Sequence, residues 1–251
     1  MTVPADRTKL GVVVPSSNTT VEREFATVLR DVDDVSLHVA RMPLENVTVD
    51  ELDAMADDAS AAADRLADAN VDVVAYACTT GSLLHGPGFD AELEDELADI
   101  TGAPAVATAR SVKRALAALD ASTVALVTPY TDDLNDREVE FLDAEGISVA
   151  TVDGRGIESN AAIGALSATD AARQVRNALG SGGVREPRAD AVFVSCTNYA
   201  TFDLLPALER EFELPVVSSN AATLWDALEA AGETDAAASA VPGRLGEITG
   251  R

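Results

Sequence analysis

The chain has 251 residues, 47% of them hydrophobic, and a formal net charge of −25 at pH 7. The composition is that of a globular protein, and the length suits one large domain or two domains of about 100–150 residues each. A surface this acidic repels phosphate backbones and anionic lipids, which argues against nucleic-acid and membrane partners.

Strands and helices alternate along the first half of the chain at the spacing of βαβ units, which predicts a parallel sheet with right-handed crossovers. The predicted strands are Leu10–Val14, Val35–Val39, Val71–Ala77 and Pro104–Ala107. The predicted helices are Val21–Leu29, Val49–Ala69, Ala91–Ile100 and Ala109–Leu119. A cap on the first helix is expected from Thr19 or Thr20, and Thr79–Gly88 is predicted to be a loop.

The second half repeats this plan. Its predicted strands are Thr123–Val127, Ile147–Val152, Ala191–Val194 and Pro215–Val217. Its predicted helices are Leu134–Glu145 with Asp132 or Asp133 as the cap, a region from about Ala161 that resumes after Ser167, one around Pro206–Glu211, and Ala221–Ala231. The stretch Gly180–Pro187 is predicted to be a turn, and Gly232–Arg251 either a helix-bearing tail or a frayed one.

Three landmarks recur in the same order in both halves, which indicates an internal duplication of about 115 residues. Pro15 matches Pro129, Pro104 matches Pro215, and the two strands that end in Cys-Thr match each other. The fold class expected is therefore α/β, with two pseudo-symmetric lobes at residues 1–120 and 121–251. Because ligands of open α/β sheets bind beyond the carboxyl ends of the strands, the active site is expected in the cleft between the lobes.

The only two cysteines, Cys78 and Cys196, each follow a predicted inner strand and each precede a threonine. A lone cysteine at a strand end is usually a packing residue, but two in equivalent positions indicate a common purpose. A helix N-terminus favours the thiolate, so a lowered pKa is expected for these thiols. Across a cleft they would form an acid/base or nucleophile/acid pair.

Polar residues surround both cysteines and suit a small carboxylate, because hydroxyls, amides and backbone N–H groups at strand-to-helix turns bind anions. For any one of them, helix capping or core packing is the alternative interpretation. The candidate substrate-binding residues are Ser17, Asn18, Thr79, Thr80, Tyr130, Asn160, Thr197 and Asn198, with Ser16 beside them.

The sequence does not support several other kinds of functional site. Nucleotide-binding and serine-hydrolase motifs do not occur, and two cysteines 118 positions apart with two histidines match no zinc spacing. No cofactor and no metal are therefore expected. The N-terminus lacks an apolar signal-peptide core and no apolar run is long enough to span a membrane, which predicts a cytoplasmic protein. The acid-rich composition, with lysine only at positions 9 and 113, is typical of proteins from a high-salt cytoplasm.

Five motifs between Leu10 and Ala231 resemble, in this order, those of the Asp/Glu racemase superfamily: V-P-S-S-N-T-T, Y-A-C-T-T-G, T-P-Y-T-D-D-L-N, G-I-E-S-N-A-A-I-G and S-C-T-N-Y. Within it they are most similar to the branch of maleate cis–trans isomerase and arylmalonate decarboxylase. The resemblance implies two flavodoxin-like lobes with one catalytic cysteine each, and cofactor-independent chemistry on a small dicarboxylate. A homodimer or higher homo-oligomer is expected.

By matching position, the resemblance implies that Cys78 is the nucleophile and Cys196 the proton donor, and that Asn18, Tyr130 and Asn160 hold the carboxylates. The decarboxylases have glycine at the first cysteine site, so Cys78 favours isomerisation of maleate to fumarate through a thiolate adduct and an enediolate. The alternatives are a two-cysteine racemase of aspartate, glutamate or a hydantoin, an arylmalonate decarboxylase-like enzyme, and a dicarboxylate-binding protein without catalysis.

Overall fold

Two four-stranded parallel sheets with the same strand order form the framework of the protein. The structure, a computed structural model, describes residues 7–180 and 188–248, apart from the side chains at positions 56 and 57. In the first sheet the order is β2-β1-β3-β4, and in the second β6-β5-β7-β8. The strands are β1 (Thr8–Pro15), β2 (Val35–Met42), β3 (Val73–Tyr76), β4 (Ala105–Ala107), β5 (Thr123–Val127), β6 (Ser148–Asp153), β7 (Ala191–Val194) and β8 (Val216–Ser218). The predicted α/β class with two similar parallel sheets is confirmed.

Helices cover both sheets. They are α1 (Val21–Val28), α2 (Val49–Ala67), α3 (Thr79–Leu83), α4 (Phe89–Thr101), α5 (Thr108–Ala118), α6 (Asp132–Ala144), α7 (Asn160–Gly164), α8 (Ala168–Leu179), α9 (Leu205–Phe212), α10 (Ser219–Ala230) and α11 (Thr234–Ala240), with short 3-10 segments at Leu29–Asp31 and Phe202–Leu204. The predicted turn at Gly180–Pro187 falls on residues 181–187, which lie outside the described residues.

The inner strands β3 and β7 are buried at every position, as expected for unbroken apolar runs between two helical layers. Their register fixes where the following residues lie. Val13 pairs with Tyr76, and Val127 pairs with Val194, so the segments after β1, β3, β5 and β7 emerge at the carboxyl edges of their sheets. Both cysteines therefore start from such an edge.

Three expectations about helix ends were wrong. Thr20 precedes α1 without a side-chain cap, because Asn18 Oδ1 instead accepts from the backbone N–H groups of Thr20 and Val21. Helix α6 begins at Asp132 itself, after Thr131, so that the two aspartates lie in its first turn, where the helix dipole favours acidic groups. The predicted loop at Thr79–Gly88 begins with the helix α3, whose first residue directly follows Cys78.

The two halves are joined by a tightly packed pair of helices, α5 and α10. Thr108 and Thr223 lie 2.9 Å apart between their hydroxyl oxygens, and Arg114 binds Asp226 of α10 at 2.7 Å as well as Glu94 of α4. Helix α10 also packs against β3 and β4 of the first sheet. Because this helix crosses between the halves, a division of the chain at residue 120 stays a prediction.

The C-terminal segment carries a helix, which is one of the two forms expected for it. Helix α11 is followed by a turn in which Leu245 is buried, and the Trp225 indole N–H donates to the Ile248 carbonyl at 3.3 Å. Within the described part of the chain, no helix combines the length and the apolar character needed to cross a membrane.

Candidate active site

The two cysteines lie at equivalent strand ends but differ in backbone conformation. Cys78 follows β3 in an extended conformation, with φ −146° and ψ 115°, and forms the N-cap of α3. Cys196 follows β7 with φ +98°, a value that residues with a side chain adopt at an energetic cost. Backbone strain of this kind in a polar turn is a recurrent property of functional sites.

A small cavity between the lobes brings both thiols together with most of the predicted binding residues. Its volume is about 10 Å³, close to that of a single water position, so the site is closed. Each of the two cysteines is only 5% exposed. The cavity is lined by Pro15, Asn18, Leu44, Val47, Cys78, Thr79, Thr80, Tyr130, Asn160, Cys196 and Thr197.

The threonine after each cysteine reaches across to the other lobe. Thr79 Oγ1 donates to Ser219 Oγ at 2.8 Å, and the same serine oxygen accepts from the Cys196 backbone N–H at 3.1 Å. Thr197 Oγ1 donates to the Ala77 carbonyl, next to Cys78, at 3.1 Å and accepts from Asn18 Nδ2 at 3.1 Å. These bonds tie each cysteine-bearing turn to its counterpart.

Two of the predicted substrate-binding residues, Ser17 and Asn198, do not line the cavity. Asn198 is buried behind it, where its side chain accepts from the Thr19 backbone N–H and donates to the carbonyl of Asn160. Ser17 Oγ donates to the Leu44 carbonyl and accepts from Asn160 Nδ2. Both side chains hold loops in place. Ser16, the neighbour of Ser17, accepts from the Leu44 backbone N–H.

Two loops at the cavity, 43–48 and 155–160, pair their backbones, and they contribute Leu44, Val47 and Asn160 to its wall. The Val47 N–H donates to the Glu158 carbonyl at 2.7 Å, and the Asn160 N–H donates to the Glu45 carbonyl at 3.1 Å. The pairing sets the side chain of Val47 into the cavity wall beside that of Leu44. Because the enclosed space is far smaller than a four-carbon diacid, these loops must part to admit a ligand of that size.

Burial, rather than the helix N-terminus, dominates the acidity of the thiols, and the expected lowering of their pKa is wrong. Loss of hydration raises the pKa of Cys78 to about 11, although the Gly81 N–H and the Thr80 hydroxyl, 3.9 Å from the sulfur, oppose the rise. Burial raises the pKa of Cys196 to about 12, against hydrogen bonds from Tyr130 and the Asn198 N–H. Burial thus outweighs the local hydrogen-bond donors at both thiols.

A buried carboxyl lies behind Cys196. Glu138 of α6 is fully buried, and its Oε1 accepts from the hydroxyl of Ser195, the residue before Cys196, at 2.6 Å. Burial raises the pKa of Glu138 to about 7. Tyr130 is also buried, and its pKa is raised well above the ordinary value by burial and by the neighbouring Cys196 and Glu138. The second thiol thus lies close to a phenol that holds its proton and to a buried carboxyl that titrates near neutral pH.

Several residues of the site were not predicted. Pro15, Leu44 and Val47 supply the apolar wall, and Ser219 and Glu138 support the cysteine turns from behind. Only Pro15 carried a signal, since it stands within the first motif and matches Pro129. The others lie on segments whose pattern indicates ordinary loops or helix faces.

The histidines and the other acidic residues do not extend the site. His85 is half-exposed and its Nε2 lies 3.3 Å from Asp53 Oδ1, while His38 Nε2 contacts Ser36 Oγ in β2. In residues 7–180 and 188–248, no three His, Cys, Asp or Glu side chains cluster closely enough to hold a metal ion. What the cavity offers is a pair of thiols and a set of neutral hydrogen-bond donors.

Comparisons with known proteins identify relatives along almost the whole chain. The model of a protein family described as arylmalonate decarboxylase matches residues 10–245. A maleate isomerase of Nocardia farcinica is 32% identical over 228 residues, which cover 88% of this chain and 88% of that protein. An arylmalonate decarboxylase of Bordetella bronchiseptica is 29% identical, over 89% of this chain and 90% of its own.

A solved structure shares the fold as well. It is that of the Nocardia farcinica maleate cis–trans isomerase, in a cysteine-to-serine mutant with a covalently bound succinylcysteine intermediate. It superposes with a TM-score of 0.86 at 30% sequence identity, and the match covers 95% of this chain and 97% of the other.

Proposed function

The chain belongs to the arylmalonate decarboxylase family, and from this premise we propose that it is a maleate cis–trans isomerase that works through a covalent cysteine adduct. The observation that carries the proposal is the pair of thiols facing one closed cavity lined by neutral donors. The maleate isomerase relatives support the choice of substrate, and the succinylcysteine in one of them supports the choice of intermediate. A binding protein without catalysis would not need either thiol.

The proposed reaction starts with Cys78 as the thiolate, its proton having been released to solvent while the site is open, and the thiolate sulfur adds to one alkene carbon of maleate. The electron pair of the double bond moves to the neighbouring carbon and its carboxylate, which forms an enediolate. Cys196, as a thiol, gives its proton to that carbon, and the bond between the two central carbons is now single and rotates. Cys196 then takes the proton back, the sulfur–carbon bond breaks, and fumarate leaves. No atom is gained or lost.

We assign the two roles from the groups that surround each thiol and from the resemblance. Cys78, at the N-terminus of α3 with the Gly81 N–H and the Thr80 hydroxyl beside its sulfur, is the nucleophile. Cys196, whose sulfur faces Tyr130, keeps its proton and is the acid. The side-chain amides of Asn18 and Asn160 and the hydroxyls of Thr80 and Tyr130 are the proposed carboxylate donors, since all of them line the cavity. Neutral donors allow one carboxylate to swing during rotation.

A second candidate, decarboxylation of an arylmalonate, is favoured by the description of the matching family and by the relative from Bordetella bronchiseptica. The presence of Cys78 argues against it, because the resemblance implies glycine at this position in the decarboxylases.

The decisive experiment offers maleate, aspartate, glutamate and phenylmalonate to the protein without any cofactor and follows each by proton NMR. Fumarate from maleate alone supports the proposal. Release of carbon dioxide from phenylmalonate would establish decarboxylation, and deuterium uptake with loss of chirality in an amino acid would establish racemisation. Intact mass of Cys196→Ser after incubation with maleate should show an adduct on Cys78, while Cys78→Ser should show neither adduct nor turnover.

We also propose a cytoplasmic location, a homodimeric or larger assembly, and an origin in a high-salt cytoplasm. The strongly acidic, lysine-poor composition supports the last of these, because salt screens the repulsion within such a surface. Sedimentation velocity across a range of salt concentrations tests the assembly and the salt requirement together.

A further inference from the structure

Tyr76 is buried without a hydrogen bond. It ends β3, two residues before Cys78, and has no exposed surface. Its hydroxyl has no hydrogen-bond partner among the residues that the structure describes. A buried hydroxyl in this state lowers the stability of the folded protein compared with the phenylalanine that would fill the same space. A hydrogen bond that this hydroxyl forms in another state of the protein would account for the presence of tyrosine here.

The Cys78 sulfur lies near this hydroxyl, close enough for a negative charge on it to raise the pKa of Tyr76. A Cβ atom placed on Gly81 would lie 2.7 Å from Tyr76 Oη, 3.1 Å from Cys78 Sγ and 2.8 Å from Met55 Cε. The hydroxyl, the sulfur and the methyl group thus surround one point, at which glycine leaves space. Met55 presents its methyl group at this point. Tyr76 does not line the cavity, whereas Cys78 does.

The thiolate of Cys78 lacks sufficient support in the resting geometry. Its sulfur has the Gly81 N–H and a long contact of 3.9 Å to Thr80 Oγ1, and burial still outweighs both in setting its pKa. A third donor would stabilise the anion without affecting the neutral thiol, which is a poor acceptor. The titratable groups that face this sulfur are the phenols of Tyr76 and Tyr130 and the thiol of Cys196.

We propose that the Tyr76 hydroxyl turns toward Cys78 Sγ when that thiol loses its proton and donates a hydrogen bond to the resulting thiolate. Tyr76 is then a positioning residue for the nucleophile, and its unsatisfied state in the resting protein is what keeps it available. The inference rests on the proposed function, in which Cys78 is the attacking group.

The test measures alkylation of each cysteine by iodoacetamide, resolved by peptide mass spectrometry, in the wild type and in Tyr76→Phe between pH 7 and 9. Alkylation rate is proportional to the thiolate fraction, so a loss of the donor is expected to slow Cys78 about tenfold, which corresponds to one pKa unit. Cys196 lines the same cavity, and its rate in the same sample corrects for any change in how often the site opens. At the same time the urea midpoint of Tyr76→Phe should equal or exceed that of the wild type.

Tyr199→Phe is the matched control. The Tyr199 hydroxyl donates to Gln174 Oε1 at 3.1 Å and lies outside the cavity, so its loss should lower the urea midpoint and leave the ratio of Cys78 to Cys196 alkylation unchanged. An unchanged ratio in Tyr76→Phe would overturn the inference, as would a lower urea midpoint, which would mean that the hydroxyl is already satisfied. A changed ratio without any conversion of maleate would retain the inference about Tyr76 and reject the proposed reaction instead.

Discussion

Cys78 and Cys196 occupy equivalent places in the two sheets, yet the backbone φ angle is −146° at the first and +98° at the second. The first conformation is open to any residue, while the second suits glycine. The strain is held by local bonds: the Cys196 N–H donates to Ser219 Oγ, and the Ser195 hydroxyl beside it donates to Glu138. Duplicated strand ends have thus acquired different geometries, in keeping with different roles.

The strained backbone predicts opposite orders of stability for small substitutions at the two cysteines. Cys196→Gly should be more stable than Cys196→Ala by about 1–2 kcal/mol, because glycine relieves the positive φ. At Cys78 the alanine variant should be at least as stable as the glycine variant, since an extended φ gives glycine no advantage. Urea unfolding of the four variants measures both differences. The same order of stability at both cysteines would contradict backbone strain at Cys196.

Gly81 should not tolerate a side chain. The Cβ of Gly81→Ala would meet Tyr76 Oη at 2.7 Å and Met55 Cε at 2.8 Å, so the variant should lose about 1–3 kcal/mol of unfolding free energy and its Cys78 should be displaced. Adding Tyr76→Phe removes the nearest atom and should restore part of the loss. A double-mutant cycle by urea unfolding gives this coupling, and additive effects would show that the hydroxyl is not the obstacle.

The raised pKa of Glu138 predicts that the free energy of unfolding depends on pH. An unfolded chain releases the proton of a glutamate near pH 4.5, whereas the pKa of Glu138 in the folded protein is about 7. Between these values the folded state binds more protons than the unfolded one, so stability falls as the pH rises and levels off above pH 7. Compared with Glu138→Gln, the wild type should lose about 3 kcal/mol from pH 4.5 to 8. Parallel stability curves of the two proteins would refute the prediction.

Ser17 should control opening of the site. Ser17→Ala removes the bonds to the Leu44 carbonyl and to Asn160, each worth about 1 kcal/mol, and leaves the cavity wall unchanged. Opening should become at least about fivefold more frequent, so both cysteines should be alkylated correspondingly faster and KM for maleate should rise. Ser36→Ala, in β2 and away from the cavity, is the matched control. Unequal acceleration of the two cysteines would point to a local effect on one thiol.

The sheets were predictable because buried parallel strands are apolar throughout. Strands β5 and β7 begin and end where the pattern predicted, and both cysteines emerge where the duplication indicated. The short helix after Cys78 was missed because C-T-T-G has the composition of a turn, and only its burial against the neighbouring elements stabilises a helix there.

The detailed site was less predictable, because its properties depend on distant parts of the chain. The pKa values of the thiols follow from how completely the lobes enclose them, which no local motif expresses. In the same way Ser17 and Asn198 have the right chemistry for a ligand, but the packing of the loops directs them to backbone groups instead. The hydroxyl of Tyr76 is isolated only because β3 is covered on both faces.

The loops that cover the cavity are joined through main-chain atoms, at Val47 with Glu158 and at Asn160 with Glu45. Bonds of this kind do not depend on which side chains the loops carry. Leu44 and Val47 can therefore change in size while the loops still close over the cavity. The size of the diacid that the site accepts can then change without a loss of water exclusion. Selection for a bulkier substrate, in nature or in the laboratory, can act on Leu44 and Val47 without changing the thiols or the residues that support them.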